Sequence, residues 1–497
     1  MISRRGFLGV LGGVGLAVAG CAETAGQGLT SALRLPEPFR VPLPVPKTAR
    51  PVRPGHYEVV QRAAKVEIIP GTTTEVWGYG GTFPGPTFDL RRGSRTTIRV
   101  RNELPVPTST HLHGGVTPPE SDGYPTDLVV ARGRGAGPPV GGHVHQARWT
   151  LHEEARDYVY PLDQRAATLW YHDHRMDFTA PQVWRGLAGF ALVRDEEEDA
   201  LPLPRGDREV PLMICDRAFE EDGSFRYPSV DPSLRVTAGV EEAYMEGVEG
   251  DVILVNGAPW PVMEVDAARY RLRLLNASNA RRYRLELTPG GRFTQIGSDA
   301  GLLAAPVPHR TITIAPGERF DVVVDFADYP VGAEVTLVNT FGTGPARNVM
   351  RFRVARRAAD DSAIPRRLSR TVPAAAKPVA TRVFDFRRTG AAWTINGRSY
   401  RPGVPLARPR LGTTEVWRFT SDFHHPVHVH LAHFQVLSRN GRAPAATDAG
   451  WKDTVDVRPY EVVEVLVRFE GYRGLYMIHC HNLEHEDMAM MADFEIV

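Results

Sequence analysis

The sequence holds little of several things that would each have set its class. Three cysteines in 497 residues are too few for a disulfide framework. Charge of one sign is not in excess: 59 basic side chains stand against 58 acidic ones, so no global field draws in nucleic acid or an acidic partner, and neither is expected. The apolar leader Phe7 to Gly20 is too short for a comfortable transmembrane span. Helix-period stretches of useful length are scarce. What remains is an ordinary folded composition, 42% hydrophobic and 24% charged. Frequent Gly (47) and Pro (41) punctuate strand-like alternating runs, which predicts an all-β chain. At about 100 to 200 residues per domain, the length predicts three domains.

The first residues read as an export segment. Ser3-Arg4-Arg5-Gly6-Phe7-Leu8 resembles a twin-arginine signal, and Val18-Ala19-Gly20-Cys21 resembles a lipobox whose cysteine is lipidated after cleavage. The expectation is a protein of the cell envelope whose only membrane contact is a lipid anchor at Cys21. Residues 22–55 are Pro-rich and read as an extended spacer leading away from that signal. Domains are expected over 56–200, 205–355 and 380–497, with a polar Pro-containing linker over 356–379.

Expected strands include Val66 to Ile69, Glu75 to Trp77, Arg95 to Arg101, Ala147 to Leu151, Ala167 to Tyr171 and Leu187 to Val193 in the first domain. Tyr270 to Leu275, Arg282 to Leu287 and Phe320 to Asp325 follow in the second. The acidic run Asp195 to Asp199 reads as a solvated connector. A weak repeat relates Val255-Asn256-Gly257 followed by Tyr270 to Asn276 with Ile395-Asn396-Gly397 followed by Glu415 to Thr420; Thr82 to Pro86 followed by Thr97 to Asn102 is a looser copy. Three copies of one antiparallel β-sandwich would explain it. The loop Gly133 to Gly142 lacks the Lys-Ser/Thr of a phosphate cradle. Cys215 reads as a small buried apolar residue.

The chemistry lies in histidine. Ten of the 17 histidines fall into four clusters, each with a His-x-His pair: His111 and His113; His172 and His174; His425, His428 and His430; His479, His481 and His485. On a strand, residues i and i+2 share a face, so each pair can offer two imidazoles to one site and the four pairs can surround a single centre. Cys480, between His479 and His481, must then face the other way. Two imidazoles and a thiolate with a weak axial thioether are the ligand set of a blue copper centre. Cys480 and His485 supply two members, His425 can supply the third, and Met490 is the axial candidate. Zinc makes no use of a long axial methionine or of so open a cluster of imidazoles. His143 and His145 form a further pair among Gly and Pro, read as surface loop.

These clusters, their order, and the pattern His425-x-x-His428-x-His430 with His479-Cys480-His481-x3-His485-x4-Met490 resemble the multicopper oxidase family over about residues 56–497. The contexts His111-Leu112-His113-Gly114 and Leu483-Glu484-His485-Glu486-Asp487 are most similar to its spore-coat laccase and bilirubin oxidase branch. The resemblance implies three cupredoxin-like Greek-key β-sandwich domains and four copper ions, one type 1, one type 2 and two type 3. Type 1 copper falls to His425, Cys480 and His485 with Met490 axial, type 2 to His111 and His428, and the type 3 pair to His113, His172, His174, His430, His479 and His481. It further implies an exposed edge of His485 where donors deliver electrons, and proton delivery to dioxygen by Glu486 and Asp122.

The function expected from this resemblance is a laccase-type oxidase, a monomer, coupling oxidation of phenols or aromatic amines to reduction of dioxygen to water. A metallo-oxidase of Cu(I) or Mn(II) is the alternative, although ten methionines and no Met-rich insert offer little to gather soft ions. A copper-free cupredoxin-fold structural factor is a further alternative, but such relatives have lost ligands that this chain keeps.

Overall fold

The computed structural model describes residues 26–133, 148–372, 376–390 and 392–497. The export segment, His143 and His145, and all of the Gly133 to Gly142 loop beyond Gly133 lie outside these.

Among the described residues the strands form three cupredoxin-like sandwiches in succession along the chain. In the first, the sheet of Phe88–Arg91, Ala188–Arg194, Ala167–Asp173 and Thr110–His113 faces the sheet of Thr74–Tyr79, His56–Val66, Thr96–Asn102 and Ala155–Tyr160. Tyr79, Ile98, Val100, Leu169, Tyr171 and Val193 fill the space between. Alternating burial along Thr96–Asn102 leaves one face for solvent. Ala167–Asp173 is buried on both faces, because Leu169 and Tyr171 enter this core while Trp170 packs into the core of the second sandwich. The third sandwich spans Thr381–Thr389 to Met491–Ile496.

The sequence repeat corresponds to one recurring device. His56 to Gln61 runs parallel to Thr97 to Asn102, Glu209 to Ile214 parallel to Arg271 to Asn276, and Thr381 to Phe386 parallel to Val416 to Ser421. The sandwiches are therefore mixed rather than purely antiparallel. The first strand of each crosses to the middle of its sheet, as a Greek-key path requires.

Other expectations change. The run Val66 to Ile69 is the last residue of a strand and the turn after it, and Thr150–Glu153 starts later than expected. The Pro-rich segment is extended but stays on the body of the molecule. Gln27–Leu29 pairs with Val248–Gly250, Ser31 Oγ donates to Asp251 at 2.5 Å, and Pro42 bridges to Val262. The acidic run is structural. Asp195 caps the helix Glu196–Asp199, Glu197 accepts hydrogen bonds from Ser369, Arg370 and Thr371 of the linker, and buried Glu198 pairs with Arg271 (2.9 Å) and Arg273 (3.0 Å). Local composition could not reveal those partners, which lie more than 70 residues away. Cys215 is buried in the apolar core of the second sandwich.

Buried side chains tie the third sandwich to the first and to the second. The Asp487 carboxylate accepts the N–H groups of Thr179 and Ala180, both at 2.8 Å, at the start of the helix Thr179–Trp184. Arg282 of the second sandwich donates to Asp456 of the third at 2.6 Å.

Candidate metal centre

Two pairs of strands build the site. Thr110–His113 lies antiparallel to Ala167–Asp173 with His111 opposite His172, and His425–Val429 lies antiparallel to Gly474–Cys480 with His428 opposite His479. His174, His430 and His481 sit one residue past their strand ends, still held by backbone bonds to Ser109, Met477 and Pro426. The two-residue step keeps each His-x-His pair on one face, and the three-residue step from His425 to His428 puts that pair on opposite faces.

The eight inward imidazoles form overlapping groups, one of them His111, His428 and His430 with donor atoms within 4.8 Å of one another. Donor atoms of His113, His172 and His481 lie within 4.8 Å of one another, as do those of His174, His430 and His479. His111 and His428 face each other Nε2 to Nε2 at 3.4 Å. On the far side of Cys480, its Sγ is 3.4 Å from His425 Nδ1 and 3.6 Å from His485 Nδ1, and the two nitrogens are 3.2 Å apart. The Asn482 N–H donates to the same sulfur. Met490 is fully buried in the apolar cluster that contains Cys480, and its carbonyl accepts the Cys480 N–H at 3.1 Å. Met488 shares that cluster, whereas Met491 packs with Met176 and Met477 elsewhere.

These donors fit metal ions. His113 Nδ1, His172 Nε2 and both ring nitrogens of His481 are buried without a protein hydrogen-bond partner, a costly arrangement unless a cation completes it. Six of the eight imidazoles direct their other nitrogen to a fixed acceptor, which sets the tautomer and leaves the inner lone pair free. The acceptors are the Asp122 carbonyl for His111 (2.5 Å), Asp453 Oδ1 for His113 (3.0 Å), the Asp173 carbonyl for His172 (2.8 Å), the Asp453 carbonyl for His428 (2.9 Å), Asp122 Oδ2 for His430 (2.7 Å) and the Cys480 carbonyl for His479 (3.1 Å), whose Nδ1 also has the Glu486 carboxylate 3.1 Å away. Burial, reinforced by neighbouring imidazoles, keeps the rings neutral and ready to ligate: His172 falls to about 3 and His174 to about 4, and His111, His113, His430, His481 and His485 fall well below the usual range.

The two carboxyls named from the sequence are both here. Burial pushes Asp122 up to about 8. Burial also acts to raise Glu486, but the His174 and His479 imidazoles outweigh it and hold the carboxyl far below its ordinary value. The implied exposed edge of His485 is not found. His485 is fully buried, as is His425, because Trp393 on the strand Ala392–Ile395 stacks on its ring at 3.8 Å and 28°. Sequence reasoning also missed Asp453 and Arg319. No motif marks either, since each acquires its partner only across the interface between sandwiches.

A buried Cys-His-His group beside an eight-imidazole cluster is a donor set suited to copper. The chain belongs to the multicopper oxidase family. Family profiles described as multicopper oxidase match residues 61–131 with 142–198 and residues 373–497. A laccase of Bacillus stratosphericus is 34% identical, over 93% of this chain and 99% of that protein. A bilirubin oxidase of Albifimbria verrucaria is also 34% identical, over 92% and 81%. The solved laccase of Pediococcus acidilactici superposes with a TM-score of 0.81 at 31% identity, covering 95% of this chain and 96% of that one. The protein is a copper-dependent oxidoreductase with dioxygen as acceptor.

Proposed function

We propose that this enzyme is a laccase-type oxidase that draws electrons one at a time from phenols or aromatic amines, with four coppers held as one mononuclear and one trinuclear group. The observation that carries this reading is the division of eleven buried donor residues into a Cys-His-His group and an eight-imidazole cluster joined through consecutive residues. His425, Cys480 and His485 would hold type 1 copper, with Met490 of the same buried cluster as the further, weak sulfur donor. His111 and His428 would hold type 2, and His113, His172, His481 with His174, His430, His479 the type 3 pair. Copper held there would supply the redox capacity for the four-electron, four-proton reduction of dioxygen to two waters.

The remaining work falls to the chain. Cys480 serves one group while its own backbone leads to His479 and His481 in the other, so electrons need cross no open solvent. The Glu486 carboxylate lies 3.1 Å from His479 Nδ1 and the Asp122 carboxyl 2.7 Å from His430 Nδ1, so both stand where they can relay protons beside the reduction site. Trp393 keeps water from the type 1 ligands and demands that donors act through it or through the half-exposed Asp422, 3.5 Å from His425 Nε2. Export through residues 1–21, an anchor at Cys21 and a monomeric state belong to the same proposal.

The test is oxygen uptake by copper-loaded protein, with copper counted per chain, against a methoxyphenol, an aromatic amine, bilirubin, Cu(I) and Mn(II). About four coppers and turnover of the organic donors are expected. Turnover of the metal ions alone would replace the donor class.

A further inference from the structure

The middle sandwich supplies none of the proposed copper ligands, yet one of its side chains reaches the cluster. We infer that Arg319 is a positioning residue for the trinuclear group, acting through the Asp453 carboxylate to hold His113 of the first sandwich and His428 of the third in register. This rests on the reading of the eight imidazoles as copper ligands.

Arg319 opens the strand Arg319–Asp325 and is fully buried. Its five N–H groups find five acceptors. Nε donates to the Thr168 carbonyl (2.9 Å), Nη1 to the Gly317 carbonyl (2.9 Å) and Asp453 Oδ1 (2.6 Å), and Nη2 to the Asp299 carbonyl (3.1 Å) and Asp453 Oδ2 (2.5 Å). One guanidinium therefore touches all three sandwiches, and its planar fork matches the carboxylate in a way a lysine ammonium cannot. Asp299 reinforces the arrangement. It accepts the Arg319 N–H at 2.7 Å, lies 3.1 Å from Lys452 Nζ, and takes the Asp453 and Thr454 N–H groups at 3.3 Å.

Asp453 then passes that order to the ligands. Its Oδ1 faces His113 Nε2 at 3.0 Å, its carbonyl faces His428 Nδ1 at 2.9 Å, and Thr454 Oγ1 lies within 3.2 Å of both rings. Gripped on both oxygens by the guanidinium, the Asp453 carboxylate is fixed where it accepts from His113 Nε2. His113 must present its N–H there, which leaves Nδ1, without a protein partner, for the metal. Two glycines show how closely the middle sandwich approaches. A Cβ at Gly317 would meet His113 Cε1 and His481 Cδ2 at 3.1 Å, and one at Gly114 would lie 2.5 Å from Arg319 Nη2.

The experiment compares wild type with Arg319→Gln, Arg319→Lys and Arg271→Gln. The last variant breaks another buried ion pair of the middle sandwich, with Asp321 and Glu198, away from these ligands. Copper per chain, copper affinity by chelator competition, the blue absorption band and the type 2 electron paramagnetic resonance signal are read for each. Arg319→Gln should keep the blue band while cluster copper binds about 10- to 100-fold more weakly, the usual range for losing a group that orients a metal ligand. Arg319→Lys should recover part of the affinity and show an altered type 2 signal, and Arg271→Gln should match wild type in both. Wild-type affinity and signal in Arg319→Gln, or equal copper loss in Arg271→Gln, would overturn the inference. If Arg319→Gln does not fold, an unchanged type 2 signal in Arg319→Lys overturns it. Wild type that lacks cluster copper would instead refute the copper-ligand reading.

Discussion

Replacing Trp393 by alanine opens the proposed type 1 centre on the side where donors must arrive. The indole is 1% exposed, stacks on His485 at 3.8 Å, and meets His425 edge-on at 5.5 Å. An aromatic of this kind buries about 150–250 Å², worth roughly 4–6 kcal/mol at about 25 cal/mol per Å² as an upper bound. Partial collapse of the site brings the expected loss into the range of about 3–5 kcal/mol seen when large aromatics are truncated. Denaturant unfolding of the third sandwich measures it. The redox consequence has a definite sign. The oxidised centre carries one more positive charge than the reduced one, so water admitted beside His485 favours the oxidised form and the potential falls. Bulky donors, excluded from His485 in the wild type, gain most in turnover, which oxygen uptake with a small and a large phenol resolves. Trp393→Phe keeps an aromatic cover and should lie between. A folded, blue Trp393→Ala protein with an unchanged potential and an unchanged size preference would refute the assignment of Trp393 as the cover.

Three further outcomes are expected. Glu486→Gln should slow oxygen consumption while anaerobic reduction of the blue band by donor stays near the wild-type rate, because the amide keeps the shape beside His479 but cannot carry a proton; equal turnover across the pH range would leave Glu486 without that role. Met490→Leu should raise the type 1 potential with the band retained, as a weak donor that favours the oxidised metal is removed; a rise on Met488→Leu or Met491→Leu instead would reassign the axial ligand. Glu198→Ala should cost about 3 kcal/mol, near the low end for breaking a buried ion pair, since Arg271 and Arg273 keep Asp321 and Glu209. The pKa of Glu198 is depressed by those arginines against the opposing effect of burial. Its contribution is therefore full above the unfolded value of about 4.3 and is lost as pH falls toward the folded one; an identical acid limb in the variant's stability curve would contradict this.

What the sequence alone determined is the chemistry carried by strand periodicity. A two-residue step is the same geometry wherever a strand occurs, so His111 with His113, or His479 and His481 around Cys480, announced their faces before any tertiary contact was known. The internal repeat likewise marked Thr97 to Asn102, Tyr270 to Asn276 and Glu415 to Thr420 as equivalent strands, but that each pairs in parallel with the first strand of its sandwich was decided by the fold. Composition was less informative where burial depends on distant partners. Asp195 to Asp199 has the look of a solvated run, yet Glu198 is 3% exposed because Arg271 and Arg273 meet it from the second sandwich. The cover over His485 and the clamp on His113 were decided by tertiary structure alone. Trp393 lies 92 residues before His485, and Asp453 meets Arg319 across 134 and His113 across 340. A ligand's identity is written in its own side chain, but its exposure and its tautomer are set by whatever the fold packs against it.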